Sequence, residues 1–326
     1  MRTLSVRREM WPLARPFTIS RGTKTTAEVV LAEIDDGTVV GRGECVPYPR
    51  YGESAEAVAD ALVALAGDVA DGLDRATLQE RLPAGAARNA LDCALWDLEA
   101  KQTRQHVWQL AELPAPRPVP TAETIGLDAP EAMAAAAGGL RGRPLLKLKL
   151  DSEDIIERIG AVRAAAPRGR VIVDANESWD IELLQRIGGM LAALEVELIE
   201  QPLPVAADAA LRDFIPDVML CADESCHTAA DIDRLPSAYG MVNVKLDKAG
   251  GLTEALRVVE AARAGGRKVM VGCMVATSLS MAPAMLLAGQ ADVVDLDGPL
   301  WLAHDRGDSL RFSDGWVYPP EPALWG

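Results

Sequence analysis

Lys147 and Lys149 stand two residues apart in the run 145–150, Leu-Leu-Lys-Leu-Lys-Leu. Period-2 alternation predicts a strand with both lysines on one face and Leu146, Leu148 and Leu150 on the other. On a surface strand the lysines would face water. Inside a closed barrel they would project into the interior. Two close ammonium groups would there depress each other's pKa, which suits a base working near neutrality. Carboxylates recur at the ends of the β-prone runs that follow: Asp174 in Val-Ile-Val-Asp-Ala-Asn, Glu200 in Leu-Ile-Glu-Gln-Pro, Asp223 in Cys-Ala-Asp-Glu-Ser. On adjacent strands these three oxygen donors would suit a hard divalent cation such as Mg²⁺. The competing reading makes them helix N-caps, a role that Asp fills well and Glu poorly. In 241–248, Met-Val-Asn-Val-Lys-Leu-Asp-Lys, period 2 puts Asn243 and Lys245 on one face and Lys248 out of phase, so Lys245 is the candidate lysine. Asp295 and Asp297 close the series. His106, His227 and His304 fall in no pair or ligand spacing.

These side chains need elements that converge. From residue 119 onward a β-prone segment recurs about every 25 residues, each followed by an alanine-rich amphipathic stretch. The predicted strands are 119–125, 145–150, 170–176, 196–201, 218–223, 241–246, 268–274 and 292–297. Eight such units predict an α/β fold, a (β/α)₈-type barrel, regular or in an irregular (β/α)₇β form. No repeated consensus accompanies the period, so it is one barrel and not a solenoid. Its active site would lie at the C-terminal strand ends, where the ionisable residues above all fall. The second and sixth strands of such a barrel lie opposite, so Lys149 and Lys245 would face each other. A base on each side of one carbon, with a metal on its carboxylate, can remove an α-proton and return it to the other face.

Residues 1–118 predict an α+β capping domain. It has a hairpin through Asp35-Asp36-Gly37 and helices near 54–70 and 86–100. The segments 17–22 (Phe-Thr-Ile-Ser-Arg-Gly) and 46–53 (Val-Pro-Tyr-Pro-Arg-Tyr-Gly-Glu) predict loops; by themselves they fit ordinary surface turns equally well. Pro114, Pro116, Pro118 and Pro120 mark the boundary to a barrel over 119–310. A tail, 311–326, is expected to pack back on the capping domain.

With 326 residues, 49% of them hydrophobic, the chain can bury a large core. Its net charge of −15 argues against nucleic acid and anionic membranes as partners. No apolar run reaches the ~18 residues of a membrane span, and residues 1–17 lack an apolar signal core, so the expected location is cytoplasmic. Five scattered cysteines without a CxxC spacing fit reduced thiols, and no zinc-ligand spacing occurs.

Taken together, Lys147-Leu148-Lys149, the Asp174/Glu200/Asp223 set and Lys245 followed by Ala249-Gly250-Gly251 resemble the enolase superfamily in its muconate-lactonising subgroup. Asp295-Leu296-Asp297-Gly298-Pro299 and the two N-terminal loops resemble the dipeptide epimerases within it. The runs 83–98, 173–179 and 222–228 are similar to bacterial epimerases of Ala-Glu dipeptides. The resemblance implies that Lys149 and Lys245 are the acid/base pair and that Asp174, Glu200 and Asp223 hold one Mg²⁺ per subunit. It implies that Lys147 neutralises the substrate carboxylate and that Asp295 and Asp297 hold the dipeptide ammonium. Arg21 would take the glutamyl side-chain carboxylate, and Thr121, ending the first strand, would line the pocket. It further implies 1,1-proton transfer in murein peptide recycling and leaves a homo-oligomer open. Many members carry a glutamate in the seventh-strand segment, where this chain has Ala276. A cycloisomerase or synthase of the same superfamily is the alternative, though two carboxylates suit an ammonium better than an anionic substrate. Glu123 shares the phase of Thr121; pointing inward it would repel an anionic side chain, and as a cap it would not.

Overall fold

The computed structural model describes residues 1–326. The chain opens with β1 (Thr3–Ile19), β2 (Gly22–Asp35) and β3 (Val40–Cys45), an antiparallel sheet in that order. β1 was not among the predicted strands. It carries Pro12 and Pro16, and its pairing with β2 shifts register between Pro12 and Phe17. Both prolines are tolerated because β1 is an edge strand, where a missing N–H breaks no ladder on the open side. Four helices follow: α1 (Ala55–Val63), α2 (Ala66–Ala70), α3 (Arg75–Arg81) and α4 (Ala86–Thr103). The expected 54–70 helix is thus two, and α3 is additional.

α4 is buried almost all round because it is wedged between the N-terminal sheet and the barrel. Gly41 and Gly43 permit that wedge. A Cβ on Gly43 would lie 2.0 Å from the Ala90 carbonyl oxygen and 2.7 Å from the Ala94 nitrogen. On its other side α4 reaches the barrel. Arg88 donates to the Ala249 carbonyl (2.7 Å), Trp96 to Thr253 Oγ1 (3.0 Å), and Asp92 accepts from the Thr253 backbone (2.9 Å).

After α5 (Val107–Leu110), the expected first strand divides. β4 (Val119–Pro120) leaves the barrel and pairs with a C-terminal hairpin, while β5 (Glu123–Ile125) begins the parallel sheet. The chain continues through α6 (Pro130–Gly139), β6 (Leu145–Lys149), α7 (Ile155–Ala165), β7 (Arg170–Asp174), α8 (Ile181–Ala193), β8 (Val196–Glu200) and β9 (Met219–Ala222). It then runs through β10 (Tyr239–Val244), α9 (Leu246–Ala249), α10 (Leu252–Ala264), β11 (Lys268–Val271), α11 (Ser278–Ala288) and β12 (Val293–Val294). The C-terminal hairpin is β13 (Phe312–Ser313) and β14 (Trp316–Val317). Strands β5 to β12 form one eight-stranded parallel curled sheet in sequence order. β8 and β9 are followed by 3₁₀ turns instead of α-helices, so the barrel is irregular on that side. β12 and β5 share no ladder. The seam is held by Ala122 N–H to the Val294 carbonyl (2.8 Å) and by Leu296 N–H to Thr121 Oγ1 (2.9 Å). No helix is long and apolar enough to cross a membrane.

The barrel interior is layered. Ala122, Leu145, Ile172, Leu198, Cys221, Met241, Met270 and Val293, one residue from each strand or its approach, form a single apolar plug. Two residues further along each strand, on the same inward face, stand Thr124, Lys147, Asp174, Glu200, Asp223, Asn243, Gly272 and Asp295. The sheet therefore converts one period-2 rule into a ring of polar groups above a dry floor.

Packing this close gives a direct expectation. Gly43→Ala should lower unfolding stability by about 1–3 kcal/mol, read in urea titrations, because the added methyl meets helix backbone that cannot swing away.

Candidate active site

The surface-strand reading of residues 145–150 does not hold. β6 is buried throughout, and Lys147 and Lys149 are only 1% and 8% exposed. Lys147 Nζ lies 2.6 Å from Glu200 Oε2, 2.7 Å from Asp295 Oδ2 and 3.1 Å from Asp174 Oδ2. Lys149 Nζ lies 2.5 Å from Asp174 Oδ2. Lys245, just past β10, has its Nζ 2.7 Å from Asp223 Oδ2 and 3.8 Å from Glu200 Oε1. Lys149 and Lys245 sit on the second and sixth strands of the eight.

At Lys147 the expected depression by a neighbouring ammonium is outweighed by its carboxylate partners. Burial opposes the charge on Lys147, but Asp295, Glu200 and Asp174 raise its pKa well above the usual lysine value. Lys245 is raised likewise, burial being overcome by Asp223 and Glu200. Burial works against Asp174 and Asp223 too, yet Lys149 and Lys147 hold the first, and Lys245 and Lys248 the second, below the carboxylate range. Glu200 goes the other way, to about 7, because burial and its neighbour Asp174 disfavour its charge. Burial and Asp295 push Asp297 to about 7 as well.

Lys248 is separated from this chemistry, as its phase predicts. Its fully buried Nζ donates to the carbonyls of Cys226 (2.8 Å), Asn243 (2.9 Å) and Asp223, and pairs with Asp223 Oδ1 (2.8 Å). It braces the turn after β9. Gln201 braces it from the other side, its Oε1 accepting from the backbone of Asp223 (2.9 Å) and Ser225 (3.2 Å). Asn243 donates to Glu200 Oε1 (2.7 Å) and needs the absent side chain of Gly272, whose Cβ would lie 2.5 Å from the Asn243 amide oxygen.

A cavity of about 510 Å³ opens above the ring. Lys147, Lys149, Asp223, Lys245, Asp295 and Asp297 line its floor, with Thr124 beside them. Asp174 and Glu200 lie beneath, fully buried. Thr121 is not in the wall; it is spent on the seam between β5 and β12. Glu123 is not in the wall either, and its carboxylate pairs with Arg143 at 2.8 Å, so the inward orientation that would repel an anionic ligand does not occur. The capping segments supply the roof: Phe17, Arg21 and Lys24 from the β1–β2 hairpin, and Tyr48, Arg50 and Tyr51 from the loop after β3. Cys273 and Met274 occupy the seventh-strand wall, and Ala276 is buried, so that strand supplies no carboxylate.

Arg21 has no free charge. Its Nη2 lies 2.7 Å from Glu224 Oε1, and its Nη1 lies 2.9 Å from the Asn176 carbonyl and 3.3 Å from Glu177 Oε2. Glu177 is gripped at both oxygens by Arg50 at 2.7 Å. Asn176 and Glu177 hold left-handed backbone after β7, with φ of 47° and 67°, which turns that carbonyl toward Arg21. Glu224 is the site residue that sequence reasoning passed over. Its one signal was adjacency to Asp223, and burial with Asp223 and Asp174 nearby pushes it to about 7.

The structure gathers no group of three acidic, histidine or cysteine side chains around a single point. Ammonium groups stand between Asp174, Glu200 and Asp223 instead. The donor set still fits a hard divalent cation: three carboxylates on consecutive units, with Glu200 Oε2 and Asp223 Oδ1 buried and without a well-directed hydrogen bond.

Residues 1–111 match the family model for the mandelate racemase / muconate lactonizing enzyme N-terminal domain, and residues 131–323 match that for the enolase C-terminal domain-like fold. The chain is 48% identical to the L-Ala-D/L-Glu epimerase of Escherichia coli K12, over 97% of this chain and 99% of that one. A crystal structure of an enolase family member from Agrobacterium tumefaciens with homology to dipeptide epimerases, bound to sodium and L-Ala-L-Glu, superposes with a TM-score of 0.97 at 49% identity, covering all of both chains. The dipeptide epimerase of Methylococcus capsulatus, complexed with Mg and L-Arg-D-Lys, matches at a TM-score of 0.89 and 33% identity, over 100% of this chain and 99% of that one.

One titration follows from the roof. The ring of His227 packs edge-on to Tyr51, centroids 4.5 Å apart, and burial together with Lys248 lowers its pKa to about 4. A folded pKa below the unfolded 6.5 means a stability contribution complete above pH 6.5 and lost as pH falls toward 4. The His227 ring resonances should titrate near pH 4 by NMR, and His227→Gln should flatten the loss of urea stability between pH 6.5 and 4.

Proposed function

The chain belongs to the mandelate racemase / muconate lactonizing enzyme family, and on that footing we propose that it is a dipeptide epimerase, an isomerase inverting the α-carbon of the glutamyl residue in Ala-Glu dipeptides. The observation that carries the reading is the pair Lys149 and Lys245, two inward ammonium groups on the second and sixth strands of one barrel, both lining one cavity. The identity with the Escherichia coli epimerase and the fit to a relative bound to L-Ala-L-Glu support the substrate.

In this reading the cavity orients the dipeptide so that its second α-carbon lies between the two lysines. One lysine, in its neutral form, takes the α-proton. The C–H electron pair passes into the adjacent carboxylate as an enediolate, and the other lysine returns a proton to the opposite face. For the mirror stereoisomer the lysines exchange roles. Lys147, held charged by three carboxylates, remains an electrostatic partner for the substrate carboxylate. Asp295 and Asp297 would take the substrate ammonium. Asp295 Oδ1 is buried without a partner, an acceptor still unspent, which speaks for an amine and against the anionic substrates of a cycloisomerase. Asp174, Glu200 and Asp223 would hold Mg²⁺, the metal named with the Methylococcus relative. When bound, the ion would draw carboxylate charge away from the lysines and stabilise negative charge developing on the substrate.

The division of labour we infer follows the chain. Residues 1–118 supply the roof, 119–310 the chemistry, and 311–326 a tail against the capping unit, where Trp325 donates to the Cys93 carbonyl at 3.1 Å. All the residues invoked come from this one chain, and a homo-oligomer remains compatible with the reading. Five free cysteines fit a reducing, cytoplasmic setting, and murein peptide recycling is the process such a reaction would serve.

Chiral chromatography tests the reading. Purified protein with Mg²⁺ should convert L-Ala-D-Glu to L-Ala-L-Glu, EDTA should stop it, and Lys149→Ala should slow it by about 10²–10⁴-fold. Conversion that survives both would refute it.

A further inference from the structure

We propose that Tyr51 is a proton relay for Lys245, so that the two faces of the α-carbon exchange hydrogen with solvent at different rates; this rests on the dipeptide-epimerase reading and deepens it. Lys149 and Lys245 are 8% and 6% exposed, so burial alone does not distinguish them. What differs is the aromatic side chain that each capping segment sets beside them.

The β1–β2 hairpin brings Phe17. Its ring centre lies 5.9 Å from Lys149 Nζ, and the ring is held edge-on against Trp301, centroids 4.5 Å apart. A phenyl face attracts an ammonium but has no hydrogen to trade with it. The loop after β3 brings Tyr51, which lines the same cavity. Its ring packs edge-on to His227 at 4.5 Å and to Tyr48 at 5.3 Å. His227 stands in the turn after β9 that starts at Asp223, and Asp223 pairs with Lys245 Nζ at 2.7 Å. Tyr51 therefore stands on the Lys245 side of the cavity, as Phe17 stands on the Lys149 side.

The Tyr51 hydroxyl is unspent. The Tyr48 hydroxyl accepts from Arg21 (3.1 Å) and that of Tyr239 donates to Asp208 (2.8 Å), whereas Tyr51 makes no side-chain hydrogen bond. Burial, with Asp223 next, holds the Tyr51 hydroxyl above the usual tyrosine value, so it keeps its hydrogen at neutral pH. Its backbone is fixed as well. Tyr51 N–H donates to the Tyr48 carbonyl at 2.9 Å, and the adjoining Arg50 grips both oxygens of Glu177. A hydroxyl donates and accepts at once. The lysine can give one N–H hydrogen to the Tyr51 oxygen while Tyr51 gives its own to water, and a water hydrogen reaches the lysine by the reverse path. Each group ends with its starting charge, and only the hydrogen has changed. Lys245 thus trades the abstracted hydrogen for one from solvent before returning it, and Lys149, under Phe17, trades more slowly. Tyr51 acts through Lys245, not on the substrate.

The test follows L-Ala-D-Glu and L-Ala-L-Glu in D₂O at early conversion, as α-deuterium entering the unconverted stereoisomer divided by product formed. Lys149→Ala identifies the stereoisomer that Lys245 deprotonates, since that one alone still exchanges. In the wild type the ratio should be larger for that stereoisomer than for the other. Tyr51→Phe keeps the ring and its packing, and should lower that ratio by about fivefold, the worth of one hydrogen bond, while the ratio for the other stereoisomer stays unchanged. A roof merely loosened by the substitution would admit water and raise both ratios. Equal ratios in the wild type, or a Tyr51→Phe effect that is absent or common to both stereoisomers, would overturn the relay while leaving the epimerase reading intact. Wild-type protein that exchanges neither stereoisomer would overturn the epimerase reading and the relay with it.

Discussion

A charge inside a barrel cannot stand alone, and the rest of this site follows from that constraint. Four lysines, Lys147, Lys149, Lys245 and Lys248, are buried at the mouth of the sheet, and five carboxylates, Asp174, Glu200, Asp223, Asp295 and Asp297, are buried with them. Lys147 is the centre of this arrangement because it touches carboxylates from β7, from β8 and from beyond β12 at once. It draws three strands toward one point, and the acids raised to about 7 are those with acidic neighbours. Asp295 Oδ1 stays buried without a hydrogen-bond partner, an acceptor that an ammonium would complete.

The roof is held to the barrel by the same kind of pairing. Glu44, at the end of β3, is fully buried against the barrel; it accepts from Thr277 Oγ1 at 2.6 Å and from Arg306 at 2.5 Å. Asp247, two residues beyond Lys245, accepts from Val46 N–H at 2.9 Å and from Asn89 at 2.8 Å. The segment carrying Tyr48, Arg50 and Tyr51 thus starts from a backbone atom fixed next to Lys245. Arg21 and Arg50 fasten its outer end to the turns after β7 and β9. Substrate selection and proton transfer are separate in sequence but rigidly joined in space.

Much of this was legible in the sequence because it is local. A period-2 rule placed Lys147, Lys149 and Lys245 inward and kept Lys248 out of the cavity, and strand ends located Asp174, Glu200, Asp223, Asp295 and Asp297. What was not legible depended on partners far along the chain. The Arg21–Glu224 contact spans 203 positions, and no local pattern announces it. The direction of the Lys147 shift was not legible for the same reason: an adjacent ammonium group is visible in the sequence, but the three carboxylates around Lys147 come from three different units. β1 was hidden by its prolines, which an edge strand tolerates. The division of 119–125 into β4 and β5 was hidden because the partner of β4 lies at the far end of the chain.

The central claim is that Lys149 and Lys245 serve opposite faces of one carbon. Deuterium exchange measures this directly, with each lysine variant incubated in D₂O with each stereoisomer and the glutamyl α-proton followed by NMR. The account predicts that Lys149→Ala and Lys245→Ala each exchange the α-proton of one stereoisomer only, and that the stereoisomer differs between them. Exchange of the same stereoisomer by both variants, or of both stereoisomers by either, would contradict it.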